Sequence, residues 1–272
     1  IKDPKFNYGK ATTKGNLLIQ AHLCRMEMPI SDYRTDLKTV LDNCIRILLF
    51  MADIAKEKNI LDTLLNILNF IQMIMQGVWM DDCSLMCLPG INLNECKKII
   101  ENGKIDHLCE FCEYIKTLSN NKDIDDKDLS NKIKEFITEK CKINTLDRDE
   151  LDKLADVAMR LPILDVSYKL YALDQNSLER IYDKPIIENS DVQLSITLTK
   201  YNDTKNNLVV YSRYSKIKNC RWFVIVGNVK TNEVLAFEKI AFKEKRNRKI
   251  NFMAPREIDE DSLKLYIMSD SY

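Results

Sequence analysis

The 272 residues carry 41 Lys and Arg against 41 Asp and Glu, so no overall field of either sign draws the chain to a polyanion or a membrane. Any nucleic-acid contact has to be local. Hydrophobic residues make up 45%, and a chain of this length buries roughly 75% of its unfolded surface, enough for two or three domains with a sizeable core. The 9 Cys are odd in number, irregularly spaced and mostly within apolar helical stretches. That pattern fits reduced thiols acting as small hydrophobes, and a cytosolic or nuclear compartment is expected. The chain opens at Ile1 with no initiator Met and no signal-peptide pattern, and it reads as a piece of a longer polypeptide.

From Gly15 to about Leu88 the pattern is helical. Between Asp36 and Ala55 apolar residues fall at 40, 41, 44, 45, 47, 48 and 51, every three to four positions. The next stretch, Ile60 to Met80, is the most apolar, but Asp62, Asn66, Asn69, Gln72 and Gln76 make it a buried helix and not a membrane span. Asn92 followed by Glu95 predicts a capped helix start, and Gly103 a glycine cap at its end. Helical pattern continues over His107 to Leu118, Lys132 to Lys140 and Asp147 to Leu161, with the polar segment Ser119 to Asp128 between the first two and Pro162 as the stop. Beyond Pro162 the period changes to two: Val192, Leu194, Ile196 and Leu198 alternate with polar residues, as do Ile250 with Phe252, and Leu263 with Leu265 and Ile267. About seven short strands, with a hairpin turn at Thr231-Asn232, predict an antiparallel sandwich of immunoglobulin type. The fold class expected is α+β multidomain: a helical bundle over 1–91, a helix-loop-helix unit over 92–162 and a β-sandwich over 163–272.

Catalytic chemistry has few candidates. Gly9-Lys10 lacks an upstream phosphate-loop glycine, and Ala11 stands where a magnesium-binding hydroxyl would be needed. Asp149-Glu150-Leu151-Asp152 resembles an acidic metal box but opens a charged amphipathic helix instead of ending a strand. With only His22 and His107, no Ser elbow and no two-histidine pattern, hydrolytic and acid-base catalysis are not expected. Cys96, His107, Cys109 and Cys112 could supply tetrahedral zinc ligands, yet Cys109 and Cys112 with Leu108, Phe111 and Ile115 equally form an apolar helical face, and no metal is assigned. Asn202-Asp203-Thr204 fits a glycosylation sequon that a reducing compartment makes meaningless.

Two kinds of surface are more informative. Asn66, Asn69, Gln72 and Gln76 share about a third of one helix circumference and form an uncharged amide stripe, suited to an interdomain network. Arg213, Lys216, Lys218 and Arg221 interleave with Tyr211, Tyr214 and Trp222, combining phosphate-directed charge with stacking surfaces. A second cluster, Lys243, Lys245, Arg246, Arg248 and Lys249, is expected in a loop, as solvated charge or a contact for RNA or a partner.

LLIQAHLCR at 17 to 25, IQMIMQGVWMDDCSLMCLPGI at 71 to 91, RWFVIVGNVKTNEVLAF at 221 to 237, NFMAP at 251 to 255 and LYIMSDSY at 265 to 272 resemble the Sec63 homology module of the large Ski2-like helicases. DYRTDLKTVLD at 32 to 42 and NILNFIQM at 66 to 73 point to its cointegrator-complex branch, with the spliceosomal branch the near alternative. The resemblance implies a non-catalytic module that packs on the helicase core, guides single-stranded RNA or DNA and docks cointegrator-complex or spliceosomal proteins. ATP and Mg2+ would belong to the parent cassettes. It further implies roles of those parents in alkylation repair and collided-ribosome rescue or in splicing, additional bundle helices ahead of Ile1, and one more strand past Tyr272. A module of an endoplasmic-reticulum translocation subunit and a protein-only scaffold are the alternatives.

Overall fold

The computed structural model describes residues 9–119, 124–173, 180–181, 188–202, 208–256 and 262–272. Three helices come first, α1 (Ala11–Leu23), α2 (Ser31–Glu57) and α3 (Leu61–Gln76). α3 is their centre, with Leu64, Leu68, Ile71, Ile74 and Met75 fully buried. Its N-terminus is capped from 170 residues away: the N–H of Leu61 donates to the Asn232 carbonyl at 3.0 Å and that of Asp62 to Asn232 Oδ1 at 2.7 Å. Such bonds satisfy donors that a helix start leaves orphaned. Its C-terminus closes on Gly77, left-handed at φ 60°, and Arg25 Nε donates to the Gly77 carbonyl at 2.9 Å.

The second group is α4 (Leu93–Lys98), α5 (Leu108–Ser119), α6 (Asp126–Glu135) and α7 (Arg148–Arg160), around Ile99, Phe111, Ile115, Ile137 and Leu154. Asn92 caps α4, accepting from the N–H of Asn94 at 2.8 Å. Glu95 does not return the bond; it is buried and accepts from Thr145 Oγ1 at 3.0 Å. Nor is Gly103 the left-handed residue, since Lys104 takes that role at φ 59°. Gly103 serves close packing: a Cβ there would lie 2.9 Å from Cys141 Sγ and 3.0 Å from Phe136 Cζ. α7 starts with a full capping box between Asp147 and Glu150, so the acidic tetrapeptide 149–152 is a helix start, with Asp152 paired to Lys134.

β1 (Leu164–Leu173), β2 (Arg180–Ile181), β3 (Asp191–Lys200), β4 (Trp222–Asn228), β5 (Glu233–Ile240), β6 (Lys245–Met253) and β7 (Leu263–Ser269) form two antiparallel sheets, ordered β2-β1-β3-β6 and β5-β4-β7. Val192, Leu194, Ile196 and Leu198 of β3 pack against Trp222, Val224 and Val226 of β4. The opposite side chains of β4, Phe223 and Ile225, join the core of α2 and α3. The three-stranded sheet is thus a middle layer between helices and the second sheet. β4 and β5 are joined through residues 229–232, where Asn232 adopts φ 60° and Asn228 Oδ1 accepts from the N–H groups of Lys230 and Thr231. This is the turn expected at Thr231-Asn232. One expectation fails: residues 245–249 are part of β6, an edge strand, and not a loop. Nine registered pairs with β3 supply the ladder that fixes them. Asp203 and Thr204 of the sequon, and residues 120–123 of the polar segment, lie outside the described residues.

Candidate nucleic-acid interface

The segment 208–221 leaves β3's end of the sandwich and folds back over the C-terminus of α3. Leu208 bridges Asn219, and the Val209 N–H donates to the Lys218 carbonyl at 2.8 Å, so the segment is a narrow loop with its tip near 213–217. The Arg213 N–H donates to the Met75 carbonyl at 3.0 Å, and the Val210 N–H to Tyr272 Oη at 2.8 Å. On the helical side Tyr214 Oη donates to Asp42 Oδ1 at 2.6 Å, and Lys216 Nζ lies 2.5 Å from Asp42 Oδ2. Burial alone would raise the Asp42 carboxyl, but the bonds from Lys216 and Tyr214 outweigh it and hold the group below the ordinary carboxylate value. Burial, then the bond to Asp42, push the Tyr214 phenol far above its usual value.

These contacts sort the expected cationic patch into two classes. Lys218 is only 16% exposed and sits 2.8 Å from the buried carboxylate of Asp270, which also accepts from the Arg221 N–H at 3.0 Å and from Ser271 Oγ at 2.8 Å. Lys218 and Lys216 therefore pin the loop. Arg213 and Arg221 are exposed, and with the paired Lys216 they are the loop's exposed cations, the Arg213 stem lying along Gly77. Trp222 is no stacking surface; it is 8% exposed inside the sandwich core. Tyr211 stays half-buried with Lys153 Nζ 5.4 Å from its ring centroid, and Ile217 stands out at 88% exposure. Between this loop and α7 lies a cleft of about 750 Å3, lined in part by Tyr211, Lys216 and Arg160.

The amide stripe divides as well. Gln72 Nε2 donates to the Ser269 carbonyl at 2.7 Å, and Gln76 Nε2 to the carbonyls of Ser271 and, at 3.4 Å, Tyr211. Both glutamines hold α3 against the end of β7 and the loop. Asn66 is exposed and Asn69 half-buried, so the stripe is structural at one end only. Beside it His22 Nε2 donates to the Ile74 carbonyl at 2.8 Å; burial first, then Arg213 and Arg25, lower its pKa below the usual 6.5 against the effect of that bond. Sequence reasoning missed this buried tie, and a lone His on an apolar helix face gave no signal for it.

The second cluster splits by strand parity. Arg246 and Arg248 pair with Leu198 and Ile196 and lie on the inward side at the sandwich edge, where Arg248 Nε is 3.7 Å from Glu238. Lys245 and Lys249 lie on the outer face. The zinc candidates do not converge: among the described residues no group of three or more His, Cys, Asp or Glu side chains could hold a metal. Cys112, pushed up to about 12 by burial and the neighbouring Cys109 and Glu113, stays a thiol. No helix among the described residues is long and apolar enough to cross a membrane.

The sequence matches the Sec63 Brl domain over residues 3–272. It is 28% identical over 285 residues to mouse (Mus musculus) "Activating signal cointegrator 1 complex subunit 3", covering 96% of this chain and 13% of that protein. It is 28% identical over 260 residues to "DExH-box ATP-dependent RNA helicase DExH14" of Arabidopsis thaliana, covering 95% of this chain and 10% of the helicase. A Dictyostelium discoideum "Activating signal cointegrator 1 complex subunit 3-like" protein is 28% identical over the whole chain, which spans 11% of its length.

Proposed function

The chain belongs to the Sec63 Brl domain family, and from that premise we propose that it is a non-catalytic accessory module of an ATP-dependent helicase of the cointegrator-complex type. The observation that carries this reading is coverage: nearly all of the chain aligns with 10–13% of proteins named as helicases or cointegrator subunits, so those proteins hold ample sequence for separate catalytic cassettes. ATP and Mg2+ would be held there. The module would act as three units, a bundle over 1–91, helix-loop-helix over 92–162 and sandwich over 163–272. Its sheets, β1-β3-β6 facing β5-β4-β7, fit an immunoglobulin-type arrangement. Packing against the helicase core in cis, it would work in the nucleus or cytosol. It would steer a single strand of RNA or DNA past the 208–221 loop, with Arg213 and Arg221 on phosphates. The loop suits that task because Asp42, Asp270 and Gln76 fix it from three sides, so little side-chain and loop ordering is left to oppose binding.

Fluorescence anisotropy with labelled single strands and duplexes over a range of salt tests this. Two phosphate contacts give a log-log salt slope contribution of about −1.4 on a single strand. Arg213→Gln/Arg221→Gln should remove it. Absence of any binding at low salt would leave a module that docks proteins alone.

A further inference from the structure

α2 carries two apolar stripes side by side. Leu41, Ile45, Leu48, Ala52 and Ala55 are buried in the core shared with α3. Val40, Cys44, Ile47, Met51 and Ile54 repeat the same steps of four, three, four and three residues one position earlier, the spacing of a helix-pairing seam. This second seam is open: Ile47, Met51 and Ile54 are 54%, 43% and 45% exposed, and Phe50 beside it 65%. Its middle forms one wall of a depression of about 570 Å3, whose other wall includes Thr63, Asn66 and Phe70 of α3. Phe70 and Val40 also line a second depression of about 500 Å3 toward α1, which continues the groove.

We propose that this groove is a dimer interface, in which the α2 seams of two copies of the chain pair antiparallel about a two-fold axis near Ile47. The proposal goes beyond the function proposed above and does not depend on it. Charge is the first argument. No residue lining either depression is charged, in a chain of which 30% is charged, and the polar ones are hydroxyls and amides such as Asn16, Gln20 and Asn66. A two-fold contact sets a surface against its own copy, so a face of one sign would repel itself and an uncharged one does not. Asp36, Asp42 and Asp53 of α2 are held elsewhere, by Lys14, Lys216 and Lys239, and Arg46 donates to Asn43 Oδ1 of its own helix at 2.9 Å. Amides also cost less to bury than charges, which gives the exposed end of the amide stripe a use.

Register is the second argument. An antiparallel pair centred on Ile47 sets Val40 against Ile54 and Cys44 beside Met51, so apolar residues meet along about 21 Å of helix. The same register brings Phe50, the most exposed side chain of the face, opposite Cys44 of the other copy, on the wall of its depression. One copy thus supplies both a protruding knob and the hole that receives it, as a contact between like surfaces requires. A nucleic-acid strand is disfavoured because the lining offers no cation to a phosphate.

The test is sedimentation of the 272-residue protein over a wide range of concentration, where the mass should rise from 31.8 kDa toward twice that value. Ile47→Glu, which sets two carboxylates face to face on the axis, should stay monomeric with the helical circular dichroism of the wild type, while Ile47→Leu still dimerises. Phe50→Ser removes the knob and should weaken dimerisation about tenfold or more. A second readout is thiol labelling of the half-buried Cys44, read by peptide mass spectrometry. Labelling should slow several-fold as the wild type is concentrated and stay constant in Ile47→Glu. A wild type that is monomeric at every concentration overturns the proposal, and so does a dimer that Ile47→Glu and Phe50→Ser leave intact. If the chain is monomeric but Cys44 labels more slowly in the full-length parent, the groove belongs to another part of that polypeptide and the proposal falls.

Discussion

β4 and β6 belong to facing sheets and differ in what covers them. All seven residues of β4 are buried, because α2 and α3 press on one side and the other sheet on the opposite side. β6 buries only Ile250 and Phe252. Its outer-face residues Lys245, Asn247 and Lys249 are exposed, and its edge carries charge. The middle layer is buried on both sides, and β6 leaves most of its residues exposed. Inward-pointing Arg246 and Arg248 also suit an edge strand that must not pair with another chain. Across the sandwich the β1 and β7 side is different: Val166 and Tyr168 on the inward side of β1 are 40% and 59% exposed, beside a gap of about 480 Å3 lined by Leu265 and Ile267.

The largest effect should come from the doubly covered layer. Phe223 is 1% exposed and stacks on Phe237 with centroids 5.7 Å apart, under α3. Phe223→Ala should cost about 3–5 kcal/mol in denaturant unfolding, since the helices cannot collapse into the space without leaving the sheet. A loss under about 1 kcal/mol would mean that helices and sheet are not one packed body. Next comes Asp270→Ala, which strands Lys218 and two further donors, the Arg221 N–H and Ser271 Oγ, at once. Because Lys218 retains some solvent contact, the low end of the buried-pair range applies, about 3 kcal/mol. The loop should also become sensitive to protease between Tyr211 and Arg221 while the sandwich persists.

A smaller effect is pH-dependent. In the folded protein His22 is held neutral, whereas in the unfolded chain it titrates near 6.5. The unfolded state therefore binds more protons below that value, so stability is full above about 6.5 and falls as the pH drops through the folded-state pKa. Replacing His22 with Gln, which can still donate to the Ile74 carbonyl, should flatten the fall in thermal midpoint between neutral and mildly acidic pH. An identical slope in the two proteins would assign the acid sensitivity to other groups.

Helix positions and the change of period at Pro162 were legible because each rests on local pattern. α2, α3 and α7 stand where apolar spacing and caps put them. The three-dimensional sorting of charge was not legible. Lys218 and Arg221 look alike in sequence, but one faces Asp270 and the other water, and Asp270 lies 52 residues further on from Lys218. Likewise the run from Lys245 to Lys249 reads as loop charge because polar residues outnumber apolar ones there. Only pairing with β3 shows that alternate side chains go to opposite faces. Gln72 and Gln76 were identified as a network, but their acceptors are carbonyls almost 200 residues away.

The smallest predicted effect probes the outer face of the four-stranded sheet. Thr197 sits between Ser167 and Asn247 in the register, and its neighbour Ile196 is 1% exposed in the core. Thr197→Val keeps the β-branched shape and removes one hydroxyl that water can solvate, so stability should change by no more than about 0.5 kcal/mol. A cost above about 1 kcal/mol would show that the hydroxyl is buried in solution. The outer sheet would then be covered like the middle layer.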